Sequence, residues 1–152
     1  MSEPVIAVEP PHQPEVARLI EALDDYLGSL YPAESNHLLD LDALAAPDVR
    51  FFVARIAGRA VGCAALRLAA DYGELKRMFV LPEARGRQVG RRLLARIEAE
   101  LLAHGLGILR LETGGRQPEA LGLYRAAGFA ERGPFGDYPD DPLSIFMEKR
   151  LR

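Results

Sequence analysis

The sequence predicts one mixed α/β domain over residues 1–152, and three observations predict it. Segments of strand period and helix period follow the order β-α-α-β-β-β-α-β-α-β-β, which implies a sheet with both parallel and antiparallel neighbours. The 152 residues are 49% hydrophobic, enough for one sizeable core. The stretch from Glu74 to Leu102 reads as strand, glycine-containing loop and amphipathic helix in direct succession.

Val5 to Val8 is a short first strand closed by Pro10 and Pro11. Pro14 opens a helix at a first-turn position where its missing N–H is harmless, and Val16, Leu19, Ile20, Leu23 and Leu27 form its apolar stripe. Ser29 to His37 breaks that pattern and reads as a loop, and a short second helix is expected around Asp40 to Ala45. Phe51 to Ala57 and Ala60 to Leu68 form a hairpin turning at Gly58-Arg59. A turn at Asp71-Tyr72-Gly73 leads into the central strand, which Pro82 ends. Val89, Leu93, Leu94, Ile97 and Leu101 line one face of the helix that follows, and His104-Gly105 terminates it. Gly107 to Glu112 is a strand, Thr113-Gly114-Gly115 a loop, and Pro118 to Ala127 a helix. Phe129 to Glu131 and Leu143 to Lys149 are the last strands, separated by a Gly/Pro/Asp-rich loop.

A helix start leaves about four N–H groups unpaired and carries roughly half a positive charge, so a glycine-bearing loop opening into it suits an anion. Residues 76–92 hold six cations (Lys76, Arg77, Arg85, Arg87, Arg91, Arg92) against Glu83 alone, in a chain of net charge −3. The loop contains neither Gly-Lys-Ser/Thr nor Gly-x-Gly-x-x-Gly. Taken alone it is equally a solvated basic helix face after a tight turn.

The net charge and a pI near 5.7 argue against general nucleic-acid binding. No apolar run of ~18 residues predicts a membrane span, and the N-terminus does not resemble a signal peptide. The single cysteine, Cys63, lies among small residues, reads as a buried hydrophobe and fits a cytoplasmic location. No histidine stands at ligand spacing from it, so no metal site is expected.

Two motifs stand in order: Val80-x-Pro82-x-x-Arg85-Gly86-x-x-Val89-Gly90 before Leu93-Leu94, and Leu121-x-Leu123-Tyr124-x-x-x-Gly128-Phe129. With the strand order they resemble the GNAT superfamily of acetyl-CoA-dependent N-acetyltransferases over essentially the whole chain. Pro32 to His37, Gly62 to Leu66, Leu111 to Gly114 and Pro134 to Tyr138 resemble one bacterial subfamily of small GNAT proteins, sometimes linked by name to indole-acetic acid metabolism. In one departure Gln88 stands where the family loop has its first glycine. If that position needs φ > 0, Gln88 carries a modest strain.

The resemblance implies a mostly antiparallel, twisted sheet of six to seven strands flanked by about four helices. It implies acetyl-CoA as co-substrate, a small-molecule amine as acceptor and pairing of two copies through edge strands. The cofactor would be held by Met78, Phe79 and Val80 on a splayed fourth strand, by Arg85, Gly86, Arg87, Gln88, Val89, Gly90 and Arg91 in the loop, and by Gln117. Tyr124 matches the tyrosine that protonates the departing thiolate. Glu112 and Glu74 are alternative bases for the incoming amine. Glu34, Ser35, Asn36 and His37 on one side, with Phe135, Asp137 and Tyr138 on the other, are candidate acceptor walls. A protein N-terminus or lysine as acceptor, and a non-catalytic acyl-CoA sensor, are the competing readings.

Overall fold

A computed structural model describes residues 3–35 and 40–152. The order is β1 (Val5–Val8), α1 (Pro14–Leu30), α2 (Leu41–Leu44), β2 (Val49–Ile56), β3 (Arg59–Leu68), β4 (Gly73–Val80), α3 (Val89–Ala103), β5 (Ile108–Gly114), α4 (Pro118–Ala126), β6 (Ala130–Arg132) and β7 (Ser144–Arg150). The seven strands form one sheet in the order β1-β2-β3-β4-β5-β7-β6. Among the described residues, only β4 and β5 are parallel neighbours. The expected mixed, mostly antiparallel sheet is therefore the one observed.

Local shifts have local causes. The β2–β3 hairpin turns at Ala57 (φ 51°) and Gly58 (φ 82°), one residue earlier than expected. Positive φ at both central residues is the turn that follows strand twist. Thr113 and Gly114 belong to β5 because they continue its pairing with Ile145 and Ser144 of β7. A Gly-Gly pair suggests a turn, but a paired neighbour strand outweighs that preference. The last two strands begin one residue later than expected.

The sheet separates two cores. On one face, α3 buries Leu93, Leu94, Ile97 and Leu101 against Leu66, Leu75, Leu109 and Leu111. On the other, α1 buries Val16, Leu19, Ile20, Leu23 and Leu27 against Phe51, Val53, Cys63 and Ala65. The helical spacing of these apolar residues determines which side of each helix faces the sheet.

The feature that shapes the site is a fork. β4 and β5 pair only at Gly73↔Leu109, Glu74↔Arg110 and Leu75↔Leu111. Beyond Leu75 the strands part, β4 staying on β3 and β5 on β7. Opposite Cys63–Ala65, β4 carries a bulge whose residue Arg77 has φ 56°. Bulges bend a strand and raise its twist. A left-handed arginine costs about 1 kcal/mol or more, and here its guanidinium is buried with Nη1 2.7 Å from Asp24 Oδ1 of α1. That anchor ties the bend in β4 to the helix above it.

Candidate active site

Two cavities meet at the fork. The larger, about 480 Å³, runs from Met78, Phe79 and Val80 to the start of α3 and the flank of α4. The smaller, about 80 Å³, lies between α1, the two arms of the fork and the loop before β7. Leu23, Met78, Gln117 and Tyr124 border both, so they mark the passage between them.

The first backbone bond of α3 runs from the Arg92 amide to the Gln88 carbonyl. The amides of Val89, Gly90 and Arg91 have no backbone acceptor among the described residues, and Gln88 provides no side-chain cap. All three residues line the larger cavity. Unpaired donors at the positive end of a 15-residue helix fit a phosphate group. Gln88 does adopt the left-handed conformation, at φ 63° and ψ 21°. Its backbone thus takes the shape expected of a glycine.

The basic stretch is divided by the structure. Arg85 and Arg91 border the larger cavity, and so do Gly86, Gln88, Val89 and Gly90. Arg87 is half-buried and does not border it. Lys76 and Arg77 turn instead to Glu74 and Asp24, and Arg92 reaches Glu3 at 3.6 Å. The six cations of residues 76–92 therefore do not share one surface: the first two pair with carboxylates near the bulge.

Tyr124 is buried, and burial pushes its phenol well above the ordinary value of 10.0. No hydrogen-bond partner for its hydroxyl occurs among the described residues. Its ring packs edge-on against Phe129 with centroids 5.7 Å apart. Leu121, on the same helix, is buried with it.

The two candidate bases separate. Glu112 lines the smaller cavity and accepts a hydrogen bond from Ser144 Oγ at 2.7 Å. Glu74 is buried, does not line that cavity, and lies 3.3 Å from Lys76 Nζ. Tyr138 completes this cluster, donating to Glu74 and accepting from Lys76. Burial first, then the Glu74 charge, raises the Tyr138 phenol far above its usual range. Tyr138 is held by the Gly133–Pro142 loop, whose buried Phe135 stacks edge-on against Tyr72 and Phe146.

Of the other expected acceptor residues, Ser35 and Tyr138 line the smaller cavity. Phe135 stands behind Tyr138 and Asp137 is exposed. Asn36 and His37 lie outside the described residues, and Glu34 falls in a single 3₁₀ turn.

Sequence reasoning missed Tyr31, Lys76, Thr113, Gly114 and Ser144 as cavity residues. Tyr31 follows α1, and its hydroxyl accepts from the Arg116 amide at 2.9 Å and donates to Gln117 Oε1 at 3.3 Å. A Cβ on Gly114 would sit 1.8 Å from that hydroxyl, so only glycine lets the tyrosine close down on the loop. The close approach of aromatic and glycine is invisible in linear sequence. Gln117 also accepts from the Gly114 amide at 3.1 Å, which fixes the loop leading into α4.

A fork in a mixed sheet, an anion-ready helix start and a buried tyrosine between two cavities define an acyltransferase scaffold. The family model "Acetyltransferase (GNAT) family" matches residues 16–129, and the chain belongs to that family. An Azospirillum brasilense protein named "IAA acetyltransferase" is 61% identical over 99% of this chain and 100% of its own length. A Klebsiella pneumoniae crystal structure described as an acyl-CoA N-acyltransferase is 37% identical, covers 98% of both chains and superposes with a TM-score of 0.84. The Thermoplasma acidophilum PaiA N-acetyltransferase, solved with coenzyme A, shares the fold at a TM-score of 0.71 and 18% identity over 96% of this chain and 99% of its own.

Proposed function

We propose that the protein transfers an acetyl group from acetyl-CoA to the primary amine of a small molecule seated in the smaller cavity. The observation that carries this reading is the shared border of the two cavities at Leu23, Met78, Gln117 and Tyr124. A donor lying in the larger cavity and an acceptor in the smaller one meet there. The free amides at the start of α3, with Arg85 and Arg91 beside them, are suited to the donor's pyrophosphate. Coenzyme A in the Thermoplasma structure and the name of the Azospirillum relative support an acetyl thioester as donor.

The donor supplies an activated acyl carbon and a thiolate leaving group. The amine must lose a proton to attack, and Glu112 takes it, directly or through a water, because it lines the acceptor cavity while Glu74 does not. The parted arm of β4 at Met78–Val80 offers backbone donors to the developing oxyanion. Tyr124 then gives its proton to the sulfur, since a phenol raised by burial stays protonated at neutral pH. The products are the acetamide and free thiol.

The small volume of the inner cavity favours a small molecule over a protein segment. The test is thiol release from acetyl-CoA across amino acids, polyamines, aminoglycosides and basic peptides. Turnover of a small amine, with Glu112→Gln lowering kcat on the order of 10²-fold at unchanged acetyl-CoA KM, is expected. Turnover of peptides alone would overturn the small-molecule reading, and a full thermal shift with no turnover of any amine would leave a sensor.

A further inference from the structure

We propose that the acceptor is a free α-amino acid whose carboxylate sits on Lys76, an inference that rests on the amine-acetylation reading above. The last β4–β5 pair is Leu75↔Leu111, so Lys76 and Glu112 are the first residues beyond it on the two arms of the fork. Both line the smaller cavity. Were pairing to continue, their backbones would stand about 5 Å apart, and the arms are diverging. One arm thus presents an ammonium and the other a carboxylate to the same small space. A molecule carrying an amine and a carboxylate on neighbouring atoms matches both.

The state of Lys76 argues for this more directly. Its side chain is only 9% exposed. Two of its three N–H groups go to Glu74 and Tyr138, and the third has no partner among the described residues. A buried ammonium donor is seldom left unmade, so an acceptor group that enters the cavity has a donor to meet there. Tyr138 donates to Glu74, and Glu74 itself is not part of the cavity wall. The cavity therefore faces the ammonium and the phenol, with the compensating carboxylate behind them. An ammonium in a poorly solvated wall binds a carboxylate more strongly than a neutral carbonyl or hydroxyl.

The experiment compares kcat/KM, by thiol release, for alanine, alaninamide and ethylamine, and for leucine, leucinamide and isoamylamine. Each amino acid is expected to exceed its amide and its decarboxylated amine by roughly tenfold or more, mainly through KM. Lys76→Arg is expected to keep the preference. The pair Lys76→Met with Glu74→Gln, which leaves no buried charge alone, is expected to abolish it while retaining the coenzyme A thermal shift. An amide as good as its acid would mean that the subsite reads a carbonyl, and the proposal falls. Amines favoured over amino acids overturn the carboxylate site but leave amine acetylation standing, whereas turnover of none of these nor of any other amine overturns both.

Discussion

Tyr124 and Cys63 are both buried, but burial does different work for each. Tyr124 borders both cavities, and burial keeps its phenol protonated, as the general acid proposed above must be. Tyr124→Phe keeps the packing against Phe129 and removes only that proton. We expect kcat to fall on the order of 10²-fold with acetyl-CoA KM nearly unchanged. A variant turning over at the parent rate would remove Tyr124 from the mechanism. Cys63 borders neither of those cavities; its thiol lies 3.4 Å from the Arg77 carbonyl and burial pushes it from 9.0 up to about 12. The unfolded chain releases this proton first, so it binds fewer protons than the folded chain between those values. The contribution is fully present below pH 9 and is lost as pH rises towards 12. Urea unfolding across that window should show stability falling with pH, and Cys63→Ala should make the fall shallower by at most about 1.4 kcal/mol per pH unit. Identical slopes would show that the thiol is not the source.

At the scale of elements, the start of α3 contains a compromise. Its backbone takes φ 63° at Gln88, where glycine would be unstrained. Gln88→Gly should therefore stabilise the fold by about 1 kcal/mol and raise Tm by ~2–4 °C in a chain of this size. Coenzyme A affinity should hold or improve, because the amides of residues 89–91 keep their direction. An unchanged or lower Tm would mean that the glutamine side chain contributes what its backbone loses. This strain was legible in the sequence, since a loop pattern with glutamine at a glycine position already names the conflict. The helices and strands were legible for a related reason: the Leu93-Leu94-Ile97-Leu101 spacing and the closing prolines are local signals. What the sequence hid is non-local. Lys76 and Arg77 look like part of one basic run until the bulge at φ 56° turns them towards Glu74 and Asp24. Gly114 looks like a turn residue until Tyr31, 83 positions earlier in the chain, closes upon it. Glu74 and Glu112 were indistinguishable as bases because cavity lining depends on where two strands part.

Across the whole molecule, the fork divides the sheet into β1–β4 and β5–β7, joined through three β4–β5 residue pairs. The larger cavity is walled by both halves: Leu23 and Tyr26 of α1, Met78–Val80 of β4 and the start of α3 from one, Ala120 and Leu123 of α4 from the other. A ligand filling it replaces contacts that the parted strands do not make. It binds only the folded chain, so it stabilises by mass action, about 2.7 kcal/mol at a hundredfold excess over Kd. Coenzyme A at that concentration should raise Tm by roughly 5–10 °C in a chain of this length. The same shift should persist in Tyr124→Phe and Glu112→Gln, which leave the start of α3 untouched. It should shrink sharply in Arg85→Glu with Arg91→Glu, which places two anions beside the free amides of α3. A shift that survives those charge reversals would mean that the pyrophosphate does not lie at the start of α3, and that the ligand is held by the fork alone.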